Sequence, residues 1–478
     1  MLVYSFFFSH LYSVLPSLAA AIKRCQDVFG VTPKDLQLQV AECIGRGQDC
    51  ILIAGCEWDK PLAYFLPMVL WSDRVFVVIS PLEVPMQEQC QRLRDLDISA
   101  ITITSLQCMK DDTIGDLATG KYRAVFMTPE IIFESQCLNN LWSRDDWQQR
   151  LQAVVLDEAH CVSTWDDDFS EAYGRIGQLR LRLPREIAFI ALSATLPPRT
   201  LEDLKSQASI RKNVITINVG NDRANIWLEV RYLELEEKFK HLDFLLDFKK
   251  TMVYFDSGNE TVRAAKYLKT LAPIQSHKIA VYHSVLSEDC KQRIMADFVK
   301  GTIAQLLVAE ATGIGCDISD VIRVVQFRCP NNISTLVRRL GQAARNPLLR
   351  GQGILLVPPP SPETKFPDPN LTHYITTKEC RRQVLNEVFD NEIQPNGNCC
   401  DLCHPPLETS DMLPKARAPP RTPQQKESAG KAIEQWRSEM FLKYYSKVCD
   451  FYTEQCVMTD KMIATLPSST GYLCIHRC

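Results

Sequence analysis

The sequence lacks a strong excess of either charge, and it lacks a long uninterrupted apolar run. Its 54 lysines and arginines nearly balance its 57 aspartates and glutamates, so the formal charge is −3. This balance excludes a uniformly basic coat for nucleic acid, but a basic groove is still allowed because binding depends on local patches. No window holds about 18 uninterrupted apolar residues, so we expect no membrane-spanning helix.

Basic residues are also missing in front of the apolar N-terminal stretch, residues 1–21. A secretory signal normally begins with such residues, and Ser9 and His10 interrupt the apolar run. We therefore favour a buried or irregular N-terminal extension, residues 1–24, over a signal. The 19 cysteines are scattered singly apart from a cluster near Cys400. A long α/β chain needs no disulfide staples, so reduced thiols in the nucleus or cytosol are favoured.

Two series of short apolar runs alternate with helix-patterned stretches. Continuous apolar strands separated by helices are typical of parallel, doubly wound sheets. We therefore predict two tandem α/β domains, residues 25–210 and 211–358. The first series lies at 50–55, 74–80, 100–104, 123–128, 153–158 and 187–195, and the second at 215–219, 251–257, 278–284, 305–312, 322–327 and 353–359.

Three shorter segments follow the second series. The proline-rich stretch at 357–370 marks the exit from the sheet. We predict a small cysteine-bearing helical subdomain at 359–405, a flexible linker at 406–430 and a helical tail at 431–478. The tail helix could pack on the body or serve as a surface for a partner, and packing is the favoured interpretation.

Candidate catalytic residues lie at the end of one apolar run, in the sequence Asp157-Glu158-Ala159-His160. At the carboxyl edge of a strand, the first acid can hold magnesium and the second can polarise an attacking water. A surface Asp-Glu pair without function is the alternative. The position at a strand end, together with Ser193 and Thr195 after another strand, favours a phosphoryl-transfer site. His160 is then expected to link this site to the neighbouring domain.

An aromatic loop follows at once, with Trp165 and Phe169 among the acids 166–168. Aromatic faces can stack unpaired bases, each worth about 1–3 kcal/mol. The alternative is that both rings belong to the core, which the neighbouring acids disfavour. The run from Cys161 to Tyr173 resembles the aromatic-rich loop of RecQ helicases, which in that family couples single-strand binding to ATP turnover.

The resemblance to RecQ helicases extends over about residues 25–403. It implies a fold of two RecA-like domains plus a zinc-binding subdomain. It also implies that the protein binds single-stranded or forked DNA and uses ATP with Mg²⁺ to unwind DNA in the 3′–5′ direction. The expected role is in DNA repair and recombination in the nucleus, with the cytoplasm as a second compartment. Matching motifs supply the expected roles: Asp157, Glu158 and Arg345 in catalysis; Gln37, Lys60, His160, Gly315, Asp317 and Arg339 at the nucleotide; Ser80, Thr128, Trp165, Phe169, Ser193 and Thr195 at the DNA.

The segment at 54–62 departs from the family pattern, in which consecutive glycines let backbone N–H groups wrap the phosphates. Glu57, Trp58 and Asp59 occupy the glycine positions, Lys60 is kept, and Pro61 replaces the hydroxyl residue. A carboxylate about 4 Å from a phosphate charge repels it by about 4 kcal/mol at an effective dielectric near 20. That is about a thousandfold in affinity. We therefore expect ATP hydrolysis to be weakened or lost.

The cysteine cluster comprises Cys380, Cys399, Cys400 and Cys403. A Cys-x2-Cys turn can supply two corners of a tetrahedron, and a distant cysteine and a neighbour can complete it. The cluster resembles the RecQ zinc-binding subdomain, and the implied role is structural. Because Cys399 and Cys400 are adjacent, His404 could replace one of them as a ligand. Free thiols on a helix and loop are the alternative.

Three hypotheses for function follow from these residues. In the first, the chain is a RecQ-like ATP-dependent DNA helicase, which predicts DNA-stimulated phosphate release that Glu158→Gln abolishes. In the second, it is a catalytically inactive DNA-binding or scaffold protein, which predicts salt-sensitive DNA binding without ATP dependence. In the third, it is a zinc-dependent module for protein interaction that binds through its last 50 or so residues and has no DNA affinity.

Overall fold

Contacts divide the chain into two compact units, Met1–Pro406 and Leu407–Cys478. In the second unit, residues 433–439 are helical. The computed structural model describes residues 17–55, 58–105, 112–162, 171–234, 239–309, 318–359, 366, 368–391, 399–403, 427, 430–431 and 433–439.

The first lobe of the larger unit is built on a seven-stranded sheet with the order β3-β4-β2-β5-β6-β1-β7, in which neighbouring strands are parallel. Its central strands are continuous apolar runs because both faces are covered by buried side chains. The strands are β1 (Cys50–Ala54), β2 (Val75–Ile79), β3 (Ala100–Ile103), β4 (Ala124–Met127), β5 (Leu151–Leu156), β6 (Ala188–Ser193) and β7 (Ile215–Gly220).

Helices cover both faces of this sheet, as in other parallel α/β folds. A 3-10 turn, Ala159–Val162, follows β5 directly. The α-helices are α1 (Leu18–Phe29), α2 (Asp35–Gly45), α3 (Leu62–Leu70), α4 (Glu83–Arg94), α5 (Thr113–Ala118), α6 (Pro129–Glu134), α7 (Gln136–Leu141), α8 (Asp145–Arg150), α9 (Glu171–Gly174), α10 (Ile176–Arg180) and α11 (Pro198–Gln207).

The second lobe contains a six-stranded parallel sheet with the order β10-β11-β9-β12-β13-β8. Apolar clusters again lie on both of its faces. The strands are β8 (Ile226–Tyr232), β9 (Thr251–Phe255), β10 (Ile279–Tyr282), β11 (Gln305–Ala309), β12 (Arg323–Phe327) and β13 (Gly351–Val357), and the helices are α12 (Gly258–Leu271), α13 (Glu288–Lys300), α14 (Ile333–Leu340), α15 (Pro369–Thr376) and α16 (Arg381–Phe389), with 3-10 segments at Lys240–Asp247 and Pro273–Lys278.

The predicted fold class, two tandem parallel α/β domains, is confirmed, but one strand was assigned to the wrong sheet. β7 was expected to open the second series, whereas it pairs with β1 at the edge of the first sheet. The strand that does border the second sheet, β8, was missed. Glu229 and Arg231, neither of them fully buried, interrupt its apolar pattern.

Among the helices that the structure describes, none is both long enough and apolar enough to cross a lipid bilayer.

Candidate nucleotide cleft and metal centre

A cleft of about 780 Å³ lies between the two sheets of the larger unit, at the carboxyl ends of the strands. In parallel sheets, loops at this edge bring residues from distant parts of the chain together. Lys60, Glu158 and Arg345, to which the motifs assign roles in nucleotide binding and catalysis, all line it. Other residues on its wall are Trp58, Asp59, Glu88, Arg92, Asp157 and His160 from the first lobe and Tyr254, Thr335, Arg338, Arg339 and Gln342 from the second.

The acidic pair follows β5. Asp157 is buried, and Glu158 has a left-handed backbone with φ of 49°, which is strained for a residue with a side chain. The N–H of Glu158 donates to Oδ1 of Asp157 at 3.1 Å, and the buried Tyr173 hydroxyl donates to the Asp157 carbonyl oxygen. Burial raises the pKa of Asp157 to about 6, with a further contribution from Glu158, while Lys60 acts in the opposite direction.

His160 connects the two lobes. Burial holds its pKa well below the usual value, and the nearby Arg338 and Lys60 lower it further, so the ring is neutral. Its Nε2 can therefore accept from the guanidinium of Arg338, which belongs to the second lobe. Its Nδ1 then carries the proton and faces Oγ of Ser193 at 3.0 Å and a carboxylate oxygen of Glu158 at 3.3 Å.

The backbone of the degenerate phosphate loop bonds to itself. The N–H groups of Trp58 and Lys60 donate to the carbonyls of Gly55 and Trp58, at 3.2 and 2.7 Å. In the first turn of α3, Leu62 and Ala63 donate to the carbonyls of residues 59 and 60 at 3.1 and 3.0 Å. In a phosphate loop such groups point at the nucleotide. Here these four donors have partners within the loop, and Pro61 has no N–H to offer.

The side chains of the same loop are also engaged. Nζ of Lys60 lies 3.2 and 3.4 Å from the carbonyl oxygens of residues 54 and 55. The carboxylate of Asp59 pairs with Arg92, and Trp58 lies under the ammonium of Lys34, 3.6 Å from the ring centroid. Gln37, expected to lie at the nucleotide, is buried and donates to the Asp59 carbonyl at 3.0 Å.

The arginines of the second lobe differ in what they contact. Arg339 donates to Asp256 and Gln326, at 2.7 Å each, and both of these residues belong to its own lobe. Arg345 donates to the side-chain oxygen of Gln342, which belongs to the same lobe. Arg338 is the one that reaches His160, and sequence reasoning missed it. The only sequence signal was its place beside Arg339 in α14.

Four predicted DNA contacts have buried side chains: Ser80, Thr128, Ser193 and Thr195. Ser193 bonds to His160 and to the carbonyl oxygen of Thr195, and Thr128 donates to the carbonyl of Thr104 at 3.4 Å. A DNA contact at these positions would therefore have to use the main chain rather than the hydroxyl groups. The remaining predicted residues lie outside the described part of the chain: Trp165, Phe169, Gly315 and Asp317.

The four predicted zinc ligands come together. The Sγ atoms of Cys380, Cys399, Cys400 and Cys403 all lie within 4.8 Å of one another. Three of the separations are 3.4, 3.5 and 3.9 Å. Tetrahedral zinc with Zn–S bonds of about 2.3 Å places sulfur atoms about 3.8 Å apart. The cluster therefore fits zinc with four protein ligands, whereas the alternative ligand His404 lies outside the described residues.

The cysteine cluster is attached to the second sheet through β8. The N–H of Leu228 donates to the Cys399 carbonyl at 3.1 Å, and the N–H of Asp401 donates back to Leu228 at 2.9 Å. The Asp401 carboxylate accepts two bonds from Arg381, at 2.6 and 3.0 Å, and one from the N–H of Val230 at 3.2 Å. This arrangement supports a structural role, since no ligand position is left open.

Two family models match the chain: the DEAD/DEAH box helicase model over residues 34–204, and the helicase conserved C-terminal domain over residues 237–347. The ATP-dependent DNA helicase RecQ of Haemophilus influenzae is 27% identical over 434 residues, which is 86% of this chain and 67% of that protein. The ATP-dependent helicase wrn-1 of Caenorhabditis elegans is 26% identical, over 77% of this chain and 37% of that protein. The chain thus spans about two thirds of the length of the first relative and about a third of the length of the second.

Solved structures share the fold. Dbp5 of Saccharomyces cerevisiae, bound to RNA and ADP BeF3, matches with a TM-score of 0.60 and 16% identity, covering 79% of this chain and 93% of that one. The Mycobacterium smegmatis helicase Lhr, bound to single-stranded DNA and AMP-PNP, matches with a TM-score of 0.53 and 16% identity, covering 71% of this chain and 47% of that one. At these identities the likeness concerns architecture alone.

Proposed function

Because this chain belongs to the RecQ family of superfamily 2 helicases, we propose that it binds single-stranded or forked DNA through a helicase core with little or no ATP turnover. The zinc cluster serves as a structural clamp beside the second lobe. The family resemblance assigns it to DNA repair or recombination in the nucleus. In this view the chain is a DNA-binding or scaffold protein that retains helicase architecture.

The observation that carries this proposal is the self-bonded phosphate loop. The amides of Trp58, Lys60, Leu62 and Ala63, the amine of Lys60 and the side-chain amide of Gln37 are already bonded within the first lobe. A nucleotide would have to break these bonds, and each net bond is worth about 0.5–1.5 kcal/mol. It would also approach the carboxylate of Asp59, at a cost of about 4 kcal/mol if the charges come within about 4 Å. Micromolar ATP affinity does not survive such costs.

A second candidate is an ATP-driven 3′–5′ DNA helicase with reduced activity. It is favoured by one observation, that Asp157, Glu158 and Arg345 line the same cleft. A metal-binding acid, a water-polarising acid and an arginine finger would all be needed for hydrolysis. If this candidate is correct, DNA stimulates phosphate release, and Glu158→Gln removes it.

Titration calorimetry with MgATP, with and without a single-stranded oligonucleotide, separates the two candidates. We expect affinity weaker than roughly 100 µM and no DNA-stimulated phosphate release. Fluorescence anisotropy should show binding of labelled single-stranded and forked DNA that weakens steeply with salt and does not respond to ATP. Tighter ATP binding with DNA-stimulated turnover would establish the helicase, and absence of DNA affinity at low salt would exclude both.

A rebuilt loop supplies the positive control. The variant carries Glu57→Gly, Trp58→Gly, Asp59→Gly and Pro61→Thr, which restores glycine flexibility and a magnesium-facing hydroxyl. We expect it to gain ATP affinity of tenfold or more. The same variant with Glu158→Gln should bind ATP equally well but not hydrolyse it. If the rebuilt loop gains no affinity for ATP, then residues outside the loop prevent ATP from binding.

A further inference from the structure

We propose that Asp59 is a tethered competitor, whose carboxylate occupies an anion-binding site centred on Arg92 that would otherwise take polyphosphate. The inference deepens the proposed function, since it names what keeps phosphates out of the cleft. It concerns Arg92, to which neither the family motifs nor the sequence analysis gave a role.

The pairing of the two side chains has the geometry of anion recognition. The two terminal nitrogens of Arg92 donate to the two carboxylate oxygens of Asp59 at 3.1 and 2.9 Å. This fork-to-fork contact is the one that guanidinium also makes with phosphate. Arg92 lies in the last turn of α4 with its guanidinium 5.5 Å from the ring centroid of Phe65. A guanidinium on the cleft wall with two nitrogens available to one anion is suited to bind a phosphoryl group.

Asp59 is held in place from the other side as well. Its carbonyl oxygen accepts from the Gln37 amide at 3.0 Å and from the N–H of Leu62 at 3.1 Å. Gln37 is itself fixed, since its Oε1 accepts from the N–H of Lys34 at 2.8 Å. An ordinary surface ion pair loses most of its strength to side-chain freedom. The Asp59 and Arg92 side chains are 40% and 43% exposed. The backbone of the acid is nevertheless anchored to α2 and α3, which keeps the carboxylate within reach of Arg92.

The charge balance of the cleft depends on this acid. Among the residues that the structure describes, five basic and four acidic side chains line the cleft: Lys60, Arg92, Arg338, Arg339 and Arg345 against Asp59, Glu88, Asp157 and Glu158. Removing the carboxylate of Asp59 leaves five against three. A cleft with an excess of positive side chains raises the local concentration of anions. The ligand class that fits is therefore a linear polyphosphate.

The test is titration calorimetry with inorganic tripolyphosphate on the full chain. We expect Asp59→Ala, and the isosteric Asp59→Asn, to bind it at least tenfold more tightly than the unaltered protein. Adding Arg92→Ala to Asp59→Ala should remove the gain. Asp95→Ala is the matched control, because Asp95 is an exposed acid at the end of the same helix, bonded to Gln91 at 2.7 Å. It should not gain affinity.

Two results would overturn the proposal: no gain in a folded Asp59→Asn variant, or an equal gain in Asp95→Ala, which would indicate a general charge effect. Circular dichroism and thermal melting of each variant confirm folding. DNA binding and phosphate release by the unaltered protein are measured on the same samples. DNA-stimulated ATP hydrolysis by the unaltered protein would contradict the proposed function. The anion-site proposal is tested separately, by the comparison between the Asp59 and Asp95 variants.

Discussion

Replacing Asp401 by alanine should loosen the attachment of the cysteine cluster to the second lobe. The Arg381 side chain is only 4% exposed, and its strongest partner is the Asp401 carboxylate. Without that acid, the hydrogen-bond partners left to the buried guanidinium within the described residues are the carbonyls of residues 374 and 375. Breaking a buried pair in this way costs about 3–5 kcal/mol. The N–H of Val230 also loses an acceptor, which adds about 1 kcal/mol.

Because a two-lobed chain need not unfold in one step, the effect is best measured locally. Hydrogen exchange at the Leu228 and Val230 amides of β8 should accelerate about 100-fold or more, the equivalent of about 3 kcal/mol. Release of zinc from zinc-loaded protein to a chromophoric chelator should accelerate in parallel. Amides of β9 in the sheet centre should be unaffected.

A double variant checks the physical reason. Arg381→Met combined with Asp401→Ala removes both charges, so no unpaired guanidinium remains, and the combined effect should be well below the sum of the singles. Glu387→Ala, an exposed acid on the same helix that pairs with Gln383, should change nothing. Exchange at β8 that stays within threefold of the unaltered protein, or additive singles, would refute the reasoning.

Two further outcomes follow from buried groups at the cleft. Folding raises the pKa of Asp157 from 3.8 to about 6. The folded state therefore binds this proton more tightly than the unfolded state does. As a result, the free energy of unfolding falls by up to about 3 kcal/mol as pH rises from about 4 to 6. The melting temperature of Asp157→Asn, measured against pH in magnesium-free buffer, should not show this fall. The same pH dependence in the variant and in the unaltered protein would contradict the prediction. Arg339→Met should lower the melting temperature, since the buried oxygen of Gln326 loses its donor at a cost of about 1–3 kcal/mol; an unchanged melting temperature with weaker polyphosphate binding would instead assign Arg339 to the ligand.

Most strands could be located from the sequence because strands buried on both faces are continuous apolar runs. β5 and β6 are fully buried, and both were found together with the acids or hydroxyls at their carboxyl ends. β7 and β8 were not assigned correctly. Membership of a sheet depends on pairing with strands far along the chain, and at an edge the apolar pattern is too weak to reveal the partner.

The candidate site was predictable in its parts. A strand end, a lysine and an arginine were expected to meet, and Lys60, Glu158 and Arg345 do share the cleft. The partners of these groups were not predictable. Arg338 meets His160 across 178 positions of sequence, and Arg92 meets Asp59 across 33. Contacts of this kind depend on how whole helices are packed, which local patterns do not encode.

The sequence by itself determined which groups the phosphate loop can offer. Pro61 has no N–H, Asp59 brings a negative charge, and no glycine stands at positions 57–59, whatever the fold. The tertiary structure decided where those groups point. Because α2 and α4 flank the loop, Gln37 and Arg92 can bond to Asp59 and hold its carboxylate on the cleft wall. Chemical capacity is a property of single residues, whereas the choice of partner requires elements distant in sequence to be packed together.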